Sequence, residues 1–505
     1  MPSKVFSAAI IGLDAKLVEV EIDVSHGLRS FSIVGLPDKA IKEAEERVDA
    51  AIKSSKLLSP HARTFKVLVN LAPADLKKEG SLYDLPIALA FLIASKQTGF
   101  NPEGRIILGE LSLDGTLRPI KGALSFALLA KQKGFKEIIL PAQNASEASL
   151  VKDIKTTGVD SLSQALAYLE NRIKIKSPAN LPNTNYSLPN SIDISWVKGQ
   201  EYAKRALEIT AAGGHNLFMF GPPGGGKSLL AKALPSILPN LTFAESLEVT
   251  KIYSVAGLLP ENQTFIAARP FRAPHHISSD VALVGGGTPP KIGEITLAHR
   301  GVLFLDEFPE FHRDVLESLR QPIEDGKITI TRAKYNVSYP ARFMLIAASN
   351  PCPCGYLTDP ERSCTCSPSQ VSMYRRKLSG PLMDRMDLFI EVPAVKYEKL
   401  TAESAESQSD GIRQKIEKAR EIQKERFKND AILVNSEMQI PAIKKYCEHG
   451  APSQALLKKY VDSGKLSARG YHRILKVART IADLASFQNI QHDHIAEALI
   501  YRLKN

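Results

Sequence analysis

The sequence has no apolar run that approaches the ~18 residues of a membrane-spanning helix. The opening residues, MPSKVFSAAIIG, hold one basic residue and a short apolar run, which favours a strand over a signal peptide. Cysteine is scarce, with five in 505 residues, and no internal repeat is evident. These absences argue against membrane and repeat architectures and make a cytoplasmic location the expectation.

The chain is basic, with 65 Lys and Arg against 54 Asp and Glu, a formal charge of +11 and a pI near 9.2. Such a balance allows a polyanionic partner such as nucleic acid. Lysine is spread along the whole chain, however, so a generally basic proteome explains the balance equally well. The length predicts about three domains.

A glycine-rich string, GPPGGGKS, matches the nucleotide-binding loop G-x-x-x-x-G-K-[ST] at every defined position. The apolar run at 216–220 predicts a strand before it, and the run at 228–238 predicts a helix after it. In such loops the backbone amides cradle phosphates, while the lysine reaches the β/γ-phosphates and the hydroxyl ligates Mg²⁺. A flexible linker is the alternative, but it requires no lysine and serine in register with a helix. The candidate residues are Gly221, Pro222, Pro223, Gly224, Gly225, Gly226, Lys227 and Ser228.

Two further apolar runs end in polar residues. The run at 302–305 (VLFL) predicts a buried strand that ends in Asp306 and Glu307, and the run at 343–349 predicts a strand that ends in Asn350. In a nucleotide hydrolase the first acid holds Mg²⁺ and the second polarises the attacking water. Because ligands of open α/β sheets bind at the carboxyl ends of the strands, these residues are expected beside Lys227. An exposed pair of acids at a strand end is the alternative.

With these motifs the chain resembles an AAA+ ATPase of the magnesium-chelatase-like branch, and within it the ComM/YifB family. The resemblance spans essentially the whole chain and rests on VKGQ (197–200), GPPGGGKS, RPFRAPHHISS (269–279), VALVGGG (281–287), GVLFLDE (301–307), SGPLMDRMD (379–387) and SARGYHRILKVARTIADL (467–484). It implies an α/β P-loop core with a helical C-terminal lid, and a hexameric ring with ATP between subunits. It also implies an arginine finger acting in trans at Arg385 and a sensor arginine at Arg469.

ComM proteins are understood as DNA helicases that promote branch migration in natural transformation, so the resemblance implies a DNA motor. One alternative is a protein-remodelling or chelatase-type motor, although no integrin-like metal motif of a chelatase partner subunit is evident. Another is a nucleotide-switch scaffold without hydrolysis. Glu307, Asn350 and Arg385 argue against the scaffold, because a switch requires no hydrolytic groups.

Arg385 and Arg469 each have an alternative interpretation. Arg385 could form an ion pair within its own chain, with Asp384 or Asp387. Arg469 could be an exposed residue at a helix start, with Arg473 on the same helical face.

The N-terminal block resembles the Lon-protease C-terminal fold, also described as ribosomal S5 domain 2-like. The match covers residues 77–92 and 109–141. The positions of the catalytic serine and lysine in that fold hold Leu82 and Leu124, which can neither attack nor accept a proton. Ser81, one place away, is expected to cap the following helix. The block is therefore expected to be a scaffold or a DNA-facing module. It also resembles the inactive Lon-like domain of RadA, a recombination motor.

Four segments are predicted along the chain. Residues 1–170 form the Lon-like domain, and residues 171–196, rich in Pro, Asn and Ser, form a linker. Residues 197–395 form the AAA+ core, and residues 396–505 form the helical lid.

Four of the five cysteines, Cys352, Cys354, Cys364 and Cys366, form C-x-C, nine intervening residues and C-x-C. Four thiolates within 15 residues of a cytosolic protein fit a closed tetrahedral zinc site better than disulfides. Because C-x-C is tighter than the usual C-x-x-C, free thiols and a redox disulfide stay open as alternatives. Cys447 is expected to be a core residue.

Residues 327–343 alternate on both sides of a polar tip, which predicts a β-hairpin. In this branch of AAA+ proteins a hairpin at this point projects into the ring pore, so Arg332 and Lys334 are expected to meet DNA phosphates. A solvated hairpin tip is the alternative. The segment RPFRAPHH (269–276) is expected to be a second pore element or an intersubunit contact. It is not expected to bind metal, because adjacent side chains of an extended segment point to opposite faces.

Overall fold

The structure is a computed structural model. It describes residues 2–62, 64–178, 192–260, 263–287, 290–332, 335–359, 362–377, 380, 382–395 and 409–502. The chain divides into two compact units, one of Met1–Asn185 with Ser246–Ile266 and one of Tyr186–Glu245 with Ala267–Asn505. No helix of the described ranges has both the length and the apolarity that crossing a bilayer requires.

The first unit contains a large mixed sheet and a two-stranded ribbon. Its strands are β1 (Ser3–Ile11), β2 (Asp14–His26), β3 (Ser30–Val34), β4 (Phe65–Ala72), β5 (Arg105–Ile107), β6 (Glu110–Leu111), β7 (Leu117–Arg118), β8 (Glu137–Pro141) and β9 (Lys155–Val159). The large sheet has the order β3-β4-β2-β1-β5-β8-β9, and β6 pairs with β7. The β1–β2 and β2–β4 pairs are antiparallel, and the other pairs of this sheet are parallel.

One helix that is apolar after its first residue lies at the centre of this unit. The helices are α1 (Lys39–Lys42), α2 (Ala44–Ser54), α3 (Asp84–Ala94), α4 (Ala123–Gln132), α5 (Ala142–Ala148) and α6 (Leu162–Leu169). Because α3 (DLPIALAFLIA) is apolar on every side after Asp84, nearly all of it is buried, and it packs in one core with the inward side chains of β1, β2 and β4.

The predicted capping role of Ser81 is wrong. Helix α3 begins without a side-chain cap after Tyr83, and the Ser81 hydroxyl donates to a carboxylate oxygen of Glu110. The serine lies too far ahead of the first turn, whereas the β6 carboxylate is within reach. Leu82 packs against the core and Leu124 is buried in α4.

The second unit is organised by a parallel sheet. Its strands are β10 (Leu217–Phe220), β11 (Phe271–Arg272), β12 (Gly285–Gly286), β13 (Lys291–Ile292), β14 (Val302–Leu305), β15 (Lys327–Arg332), β16 (Tyr335–Pro340), β17 (Met344–Ser349) and β18 (Leu388–Glu391). Five of them form a sheet in the order β11-β14-β17-β10-β18, in which every neighbouring pair is parallel. Strands β12–β13 and β15–β16 form separate antiparallel ribbons. The strands predicted before the glycine-rich loop, before Asp306 and before Asn350 are confirmed as β10, β14 and β17.

Helices cover this sheet and continue to the end of the described chain. They are α7 (Glu201–Gly213), α8 (Lys227–Ile237), α10 (Asp280–Val284), α11 (Glu294–Leu297), α12 (Arg313–Ser318), α13 (Arg320–Asp325), α14 (Pro368–Lys377), α15 (Ser409–Arg426), α16 (Ile440–Tyr446), α17 (Ala451–Asp462), α18 (Ala468–Leu484) and α19 (His492–Ile500). Helix α9 (Phe243–Ala256) lies between α8 and α10 in the chain, and its residues from Ser246 onward belong to the first unit. Short 3₁₀ helices lie at Ile194–Trp196, Phe308–Glu310, Met383–Arg385 and Asn435–Glu437. Helices α15–α19 bury their apolar faces in one core with β10, β14, β17 and β18. The predicted α/β class with a helical C-terminal region is confirmed.

Candidate functional site

The glycine-rich loop joins β10 to α8 in a conformation that requires glycine. Gly224 and Gly226 have φ values of +78° and +89°, which glycine adopts without a Cβ penalty. A Cβ at Gly221 would lie 2.1 Å from the carbonyl oxygen of Val392, just beyond β18. The loop therefore lies close against β18 and ends in the first turn of α8, where free amides favour an anion.

Lys227, the first residue of α8, is buried and held by neutral acceptors. Its Nζ donates to the carbonyl oxygens of Gly221 at 2.7 Å and Pro222 at 2.9 Å, and to Oδ1 of Asn350 at 3.1 Å. Burial lowers the pKa of Lys227, and attraction to Asp306 opposes that shift. Since these acceptors are uncharged, the ammonium can exchange them for phosphate oxygens.

Ser228 in α8 forms a hydrogen bond with Asp306, which follows β14. The Ser228 Oγ donates to Oδ2 of Asp306 at 2.5 Å, and the backbone amide of Glu307 donates to Oδ1 of the same carboxylate at 2.9 Å. Two oxygens thus lie side by side, one hydroxyl and one carboxylate, which is the ligand type that Mg²⁺ takes in proteins.

Glu307 lies in an unusual backbone conformation directly after Asp306. Its φ is +51° and its ψ is +43°, a left-handed conformation that costs a non-glycine residue about 1–2 kcal/mol. The side chain is 55% exposed, and its Oε2 lies 3.0 Å from Nδ1 of His276. Such strain is typical of functional positions, because the surroundings must over-determine it.

His276 was not predicted as part of this site. It belongs to the segment 269–276, which the sequence suggests as a pore or intersubunit element. Because β11 is parallel to β14, the residues that follow β11 leave the sheet at the same edge as Asp306 and Glu307. A signal was present in the polar pair His275-His276 shortly after the two-residue strand β11, but no sequence pattern indicates which residue His276 contacts.

Asn350 leaves β17 at the same edge and is fixed from two directions. It accepts from Lys227, while the hydroxyl of Ser349 donates to its backbone carbonyl at 2.8 Å. The phenol oxygen of Tyr374, a buried residue on α14, forms hydrogen bonds with the same two residues, 349 and 350. The structure therefore brings Lys227, Ser228, Asp306, Glu307 and Asn350 to one edge, as their places at strand ends predict.

The four clustered cysteines come together directly after Asn350. Cys352 Sγ lies 3.3 Å from Cys354 Sγ and 3.7 Å from Cys364 Sγ, and the sulfurs of all four lie within 4.8 Å of one another. Zinc–sulfur bonds of about 2.3 Å place tetrahedral sulfurs about 3.8 Å apart, so the cluster fits that ion. None of these four residues, Cys366 included, forms a disulfide.

Backbone amides favour the thiolate form of Cys354, whereas at Cys364 and Cys366 burial and the neighbouring sulfurs outweigh a backbone hydrogen bond and raise the pKa. The amides of Tyr356 and Thr365 outweigh burial and lower the pKa of Cys354 to about 5. Thiolates are the form that binds metal. The fifth cysteine, Cys447, is buried in the core as predicted.

The cysteine cluster packs against the glycine-rich loop through Gly355. The φ of Gly355 is +87°, and a Cβ there would lie 2.7 Å from Cδ of Pro223 and 3.9 Å from Cγ of Asn350. The turn between the cysteine pairs therefore supports both the loop and the asparagine.

Arg385 lies at the opposite, amino edge of the sheet. It precedes β18, whose residues Leu388 and Glu391 pair with the first and last residues of β10. The arginine is buried and forms an ion pair with Glu324 on α13, rather than with either acid expected from the sequence. Because β10 carries the loop at its far end, Arg385 lies about one strand length from its own phosphate loop.

The Asp387 carboxylate accepts hydrogen bonds from Arg473 and from the backbone just before β10. Arg473 Nη1 donates to its Oδ1 at 2.5 Å, and the backbone amide of Asn216 donates to its Oδ2 at 3.0 Å. Burial alone raises the pKa of Asp387, but the attraction of Arg473 and the contact with His215 outweigh it and hold that pKa below its usual range. The Asp387 carboxylate therefore stabilises the fold at this edge of the sheet.

Arg469 is exposed in the first turn of α18, after Ser467, which caps the helix through the amide of Gly470. A cavity of about 610 Å³ beside this helix start is also lined by Met383 and Asp384. Arg469 therefore lies toward the amino edge with Arg385 and away from the loop of its own chain.

The hairpin predicted at 327–343 is confirmed as β15 and β16, which pair from Lys327↔Pro340 to Arg332↔Tyr335. Lys334 lies outside the described residues, and the structure describes only the backbone of Arg332.

Three family models match the chain in succession. The model "Subunit ChlI of Mg-chelatase" matches residues 20–144, "Magnesium chelatase, subunit ChlI" matches residues 193–400, and "Magnesium chelatase, subunit ChlI C-terminal" matches residues 406–502. The second match contains the whole sheet edge described above.

Full-length relatives are similar from end to end. Competence protein ComM of Haemophilus influenzae is 44% identical over 505 residues, which cover 99% of this chain and 97% of the relative. The protein YifB of Escherichia coli is 41% identical over 501 residues, covering 99% and 97%. The magnesium-chelatase 38 kDa subunit of Rhodobacter capsulatus is 27% identical over 175 residues, covering 31% of this chain and 49% of that subunit.

Proposed function

The chain belongs to the ComM/YifB family of magnesium-chelatase-like AAA+ proteins, and we propose that it is an ATP-driven ring motor that acts on DNA. One observation carries the ATPase part. Lys227, Ser228, Asp306, Glu307 and Asn350 converge on one edge of a parallel sheet, with the ammonium held by exchangeable neutral acceptors.

Each residue has a distinct task in hydrolysis. Lys227 and the loop amides bind the triphosphate, and Asn350 orients Lys227 and the γ-phosphate side of the site. Ser228 and Asp306 would hold Mg²⁺, which when bound neutralises charge on the phosphate oxygens. Glu307 accepts the proton of the attacking water.

Two substitutions separate binding from chemistry. We expect Lys227→Ala to abolish nucleotide binding. We expect Glu307→Gln to bind ATP normally while turnover falls about 10²–10⁴-fold, the usual effect of removing one acid–base group. Nucleotide binding and phosphate release measured on both variants test the assignment. Near-normal turnover of Glu307→Gln would show that another group is the base.

The DNA part of the proposal rests on the family and on the β15–β16 hairpin. Within the ring that the family implies, a hexamer with ATP between subunits, the hairpin tip with Arg332 and Lys334 would meet the phosphate backbone. We propose that the motor drives branch migration in recombination during natural transformation. The second candidate is a protein-remodelling motor of the chelatase type, which the matches to magnesium chelatase favour.

ATPase assays and salt titrations of DNA binding decide between the two candidates. Hydrolysis is measured with single-stranded, duplex and branched DNA. Arg332→Ala/Lys334→Ala is expected to reduce the slope of log affinity against log salt by about two per engaged subunit, because each lost phosphate contact releases one counterion fewer. Hydrolysis that no DNA stimulates, with an unchanged salt slope, would favour the protein-remodelling candidate.

We also propose that Cys352, Cys354, Cys364 and Cys366 hold one structural Zn²⁺ per subunit. Support comes from the mutual distances of the four sulfurs. Metal analysis of protein purified without chelators should give about one zinc per chain, and Cys352→Ser/Cys364→Ser should lose it. If the metal-free wild type had full thermal stability, the zinc proposal would be wrong, and free thiols or a redox disulfide would be the remaining interpretations.

The remaining assignments are proposals of the same kind. Residues 1–170 are proposed as an inactive Lon-like domain, 171–196 as a linker, 197–395 as the AAA+ core and 396–505 as the helical lid. Arg385 and Arg469 are proposed to act on the nucleotide of a neighbouring subunit. A cytoplasmic location suits both the ATP supply and four reduced thiols.

A further inference from the structure

A cavity of about 760 Å³, the amino-edge cavity, lies within the second unit on the side of the sheet away from the phosphate loop. It is lined by residues just before β10, β14 and β17 and by residues of α15 and α18. Two ion pairs form part of its wall, Arg269 with Glu245 at 3.3 Å and Arg473 with Asp387 at 2.5 Å. Each pair is electrically neutral, so neither attracts a ligand by its charge.

Arg420 and Lys476 line the same cavity without such partners. Arg420 Nε and Nη2 both donate to the carbonyl oxygen of Ala211, at 3.3 and 2.7 Å. Lys476 Nζ donates to the carbonyl oxygen of Ser436 at 2.8 Å. Within the described ranges, neither cation lies at ion-pair distance from a carboxylate. Both therefore have neutral, exchangeable acceptors, as Lys227 has in the phosphate loop.

The fold disfavours the positive charge of both groups. Burial lowers the pKa of Arg420, and repulsion from Arg269 adds to that shift. Burial lowers the pKa of Lys476 as well, while attraction to Asp387 opposes the shift. A lowered pKa of a cation means that its charged form is less stable than it would be in water. An anion bound in the cavity would offset that cost.

Positive charge is in excess on this wall of the cavity. Glu437 attracts both cations without contacting either. Its Oε1 lies 3.6 Å from Arg342 Nη1, and its Oε2 accepts from the backbone amide of Leu433 at 3.0 Å. Three cations thus share this carboxylate. Glu324 and Asp325, the acids that line the cavity from α13, are exposed, so solvent and salt screen them.

Apolar side chains complete the lining. Phe343 and Ile432 are half-buried, and Leu433 is 45% exposed. An apolar lining with a few charged groups, in a volume of about 300–1,000 Å³, is typical of small-molecule sites. Guanidinium and ammonium groups are the usual protein partners of phosphate. The cavity therefore suits a ligand with a phosphate end and an apolar or planar end.

We propose that the amino-edge cavity binds a phosphate-bearing small molecule, with Arg420 and Lys476 contacting its phosphate and Phe343 and Leu433 contacting its apolar or planar part. Nucleotides belong to this class of ligand. The site is separate from the phosphate loop, because Lys227 lies at the carboxyl edge of the same sheet. The inference goes beyond ATP hydrolysis and does not depend on it.

Binding of inorganic pyrophosphate and of ADP to Lys227→Ala tests the proposal, because that variant is expected to remove the phosphate loop as a competing site. Each ligand should still bind at a single site per chain in isothermal titration calorimetry. Arg420→Gln and Lys476→Gln, added separately to Lys227→Ala, should each weaken binding about ten- to a hundredfold. This is the usual effect of losing a hydrogen bond to a charged group.

Arg413→Gln is the matched control. Arg413 lies about two turns earlier on α15 and donates to the carbonyl oxygen of Ser236 at 3.2 and 2.6 Å, but it does not line the cavity. Its removal should leave both affinities unchanged. Thermal unfolding without ligand shows whether each variant is folded, and Lys476→Gln provides the test if Arg420→Gln does not fold.

Equal binding in Arg420→Gln, Lys476→Gln and the Arg413→Gln control would overturn the proposal. So would a Lys227→Ala protein that binds neither ligand at millimolar concentration. Binding of pyrophosphate without binding of ADP would keep the phosphate site and reject the apolar lining as part of it. If Lys227→Ala binds ATP as wild type does, the phosphate-loop assignment fails, but loss of one site in Arg420→Gln and not in Arg413→Gln would still support the cavity.

Discussion

Charged side chains have different partners at the two edges of the five-stranded sheet. At the carboxyl edge Lys227 is bound by two carbonyl oxygens and an amide, and the Glu307 side chain is 55% exposed. At the amino edge Asp387 is buried against Arg473, and a cavity of about 760 Å³ is lined by further paired charges, among them Arg269.

The difference separates groups that await a ligand from groups that hold the fold. A neutral acceptor can be exchanged for a phosphate oxygen at little cost, whereas removing one partner of a buried ion pair leaves an uncompensated charge. Arg385 shares features with both kinds of group. It is buried at the amino edge, yet its partner Glu324 is 54% exposed and can release it. The comparison therefore predicts different consequences for arginines that lie close together.

The largest effect is expected for Arg385. If the arginine leaves Glu324 to stabilise the phosphate of a neighbouring subunit, Arg385→Ala should lower turnover about 10³-fold while ATP binding and thermal stability change little. Steady-state hydrolysis, nucleotide binding and thermal unfolding of the purified variant provide the measurement.

A mixing experiment reveals whether the arginine acts across subunits. Arg385→Ala and Glu307→Gln are each expected to be inactive, but some interfaces of a mixed ring combine an intact Arg385 with an intact Glu307. Partial recovery of hydrolysis on mixing supports action in trans. No recovery at any ratio, in rings shown to be mixed, would place Arg385 among the structural charges of the amino edge.

Arg473 is expected to show the opposite behaviour. Arg473→Ala leaves the buried Asp387 carboxylate without its strongest partner and should lower the free energy of unfolding by about 3 kcal/mol. Denaturant unfolding measures the change. Arg469→Ala on the same helix is the matched control, because that residue is exposed, and its cost should stay within about 0.5 kcal/mol.

The pH dependence of the free energy of unfolding tests whether the ion pair with Asp387 is the cause. Since the native state lowers the pKa of Asp387, the stabilisation is present above the unfolded pKa of about 3.9 and is lost as pH falls. The difference between wild type and Arg473→Ala should therefore shrink in acid. A difference that is constant down to low pH would mean that Arg473 contributes through packing instead.

The smallest effect is expected at Gly355, where the cysteine cluster supports the carboxyl edge. Gly355→Ala places a Cβ against Pro223 and should weaken ATP binding about three- to tenfold, because overpacking of this kind costs about 1 kcal/mol or somewhat more. Bound zinc should stay unchanged, which separates displacement of the loop from loss of the metal. Nucleotide titration and metal analysis of the same sample test both points.

Gly134→Ala is the matched control for backbone strain. Its φ of +73° is similarly left-handed, but no atom lies within 4 Å of an added Cβ. ATP affinity should therefore stay at the wild-type value. Equal losses in both variants would trace the effect to general destabilisation and remove the supporting role of Gly355.

The parts of the fold that were predictable are those with a strong local pattern. The strands before Gly221, Asp306 and Asn350 are short runs that are apolar except for Ser349, and parallel pairing places their ends at one edge. The β15–β16 hairpin follows from alternation on both sides of a polar tip. Ser81 was mispredicted because a hydroxyl near a helix start has several partners within reach, and sequence alone did not include Glu110 among them.

The sequence by itself determined the chemistry of the carboxyl edge, because the loop motif and the strand-end acids specify both residue type and place. It also determined the family, because long motifs typical of that family are distributed along the whole chain. Only the tertiary structure decided which charges pair. Arg385 with Glu324, Arg473 with Asp387 and His276 with Glu307 are each far apart in sequence or belong to different strands. Such partners are chosen by strand order and helix packing, and a charged side chain carries no local pattern that names its partner.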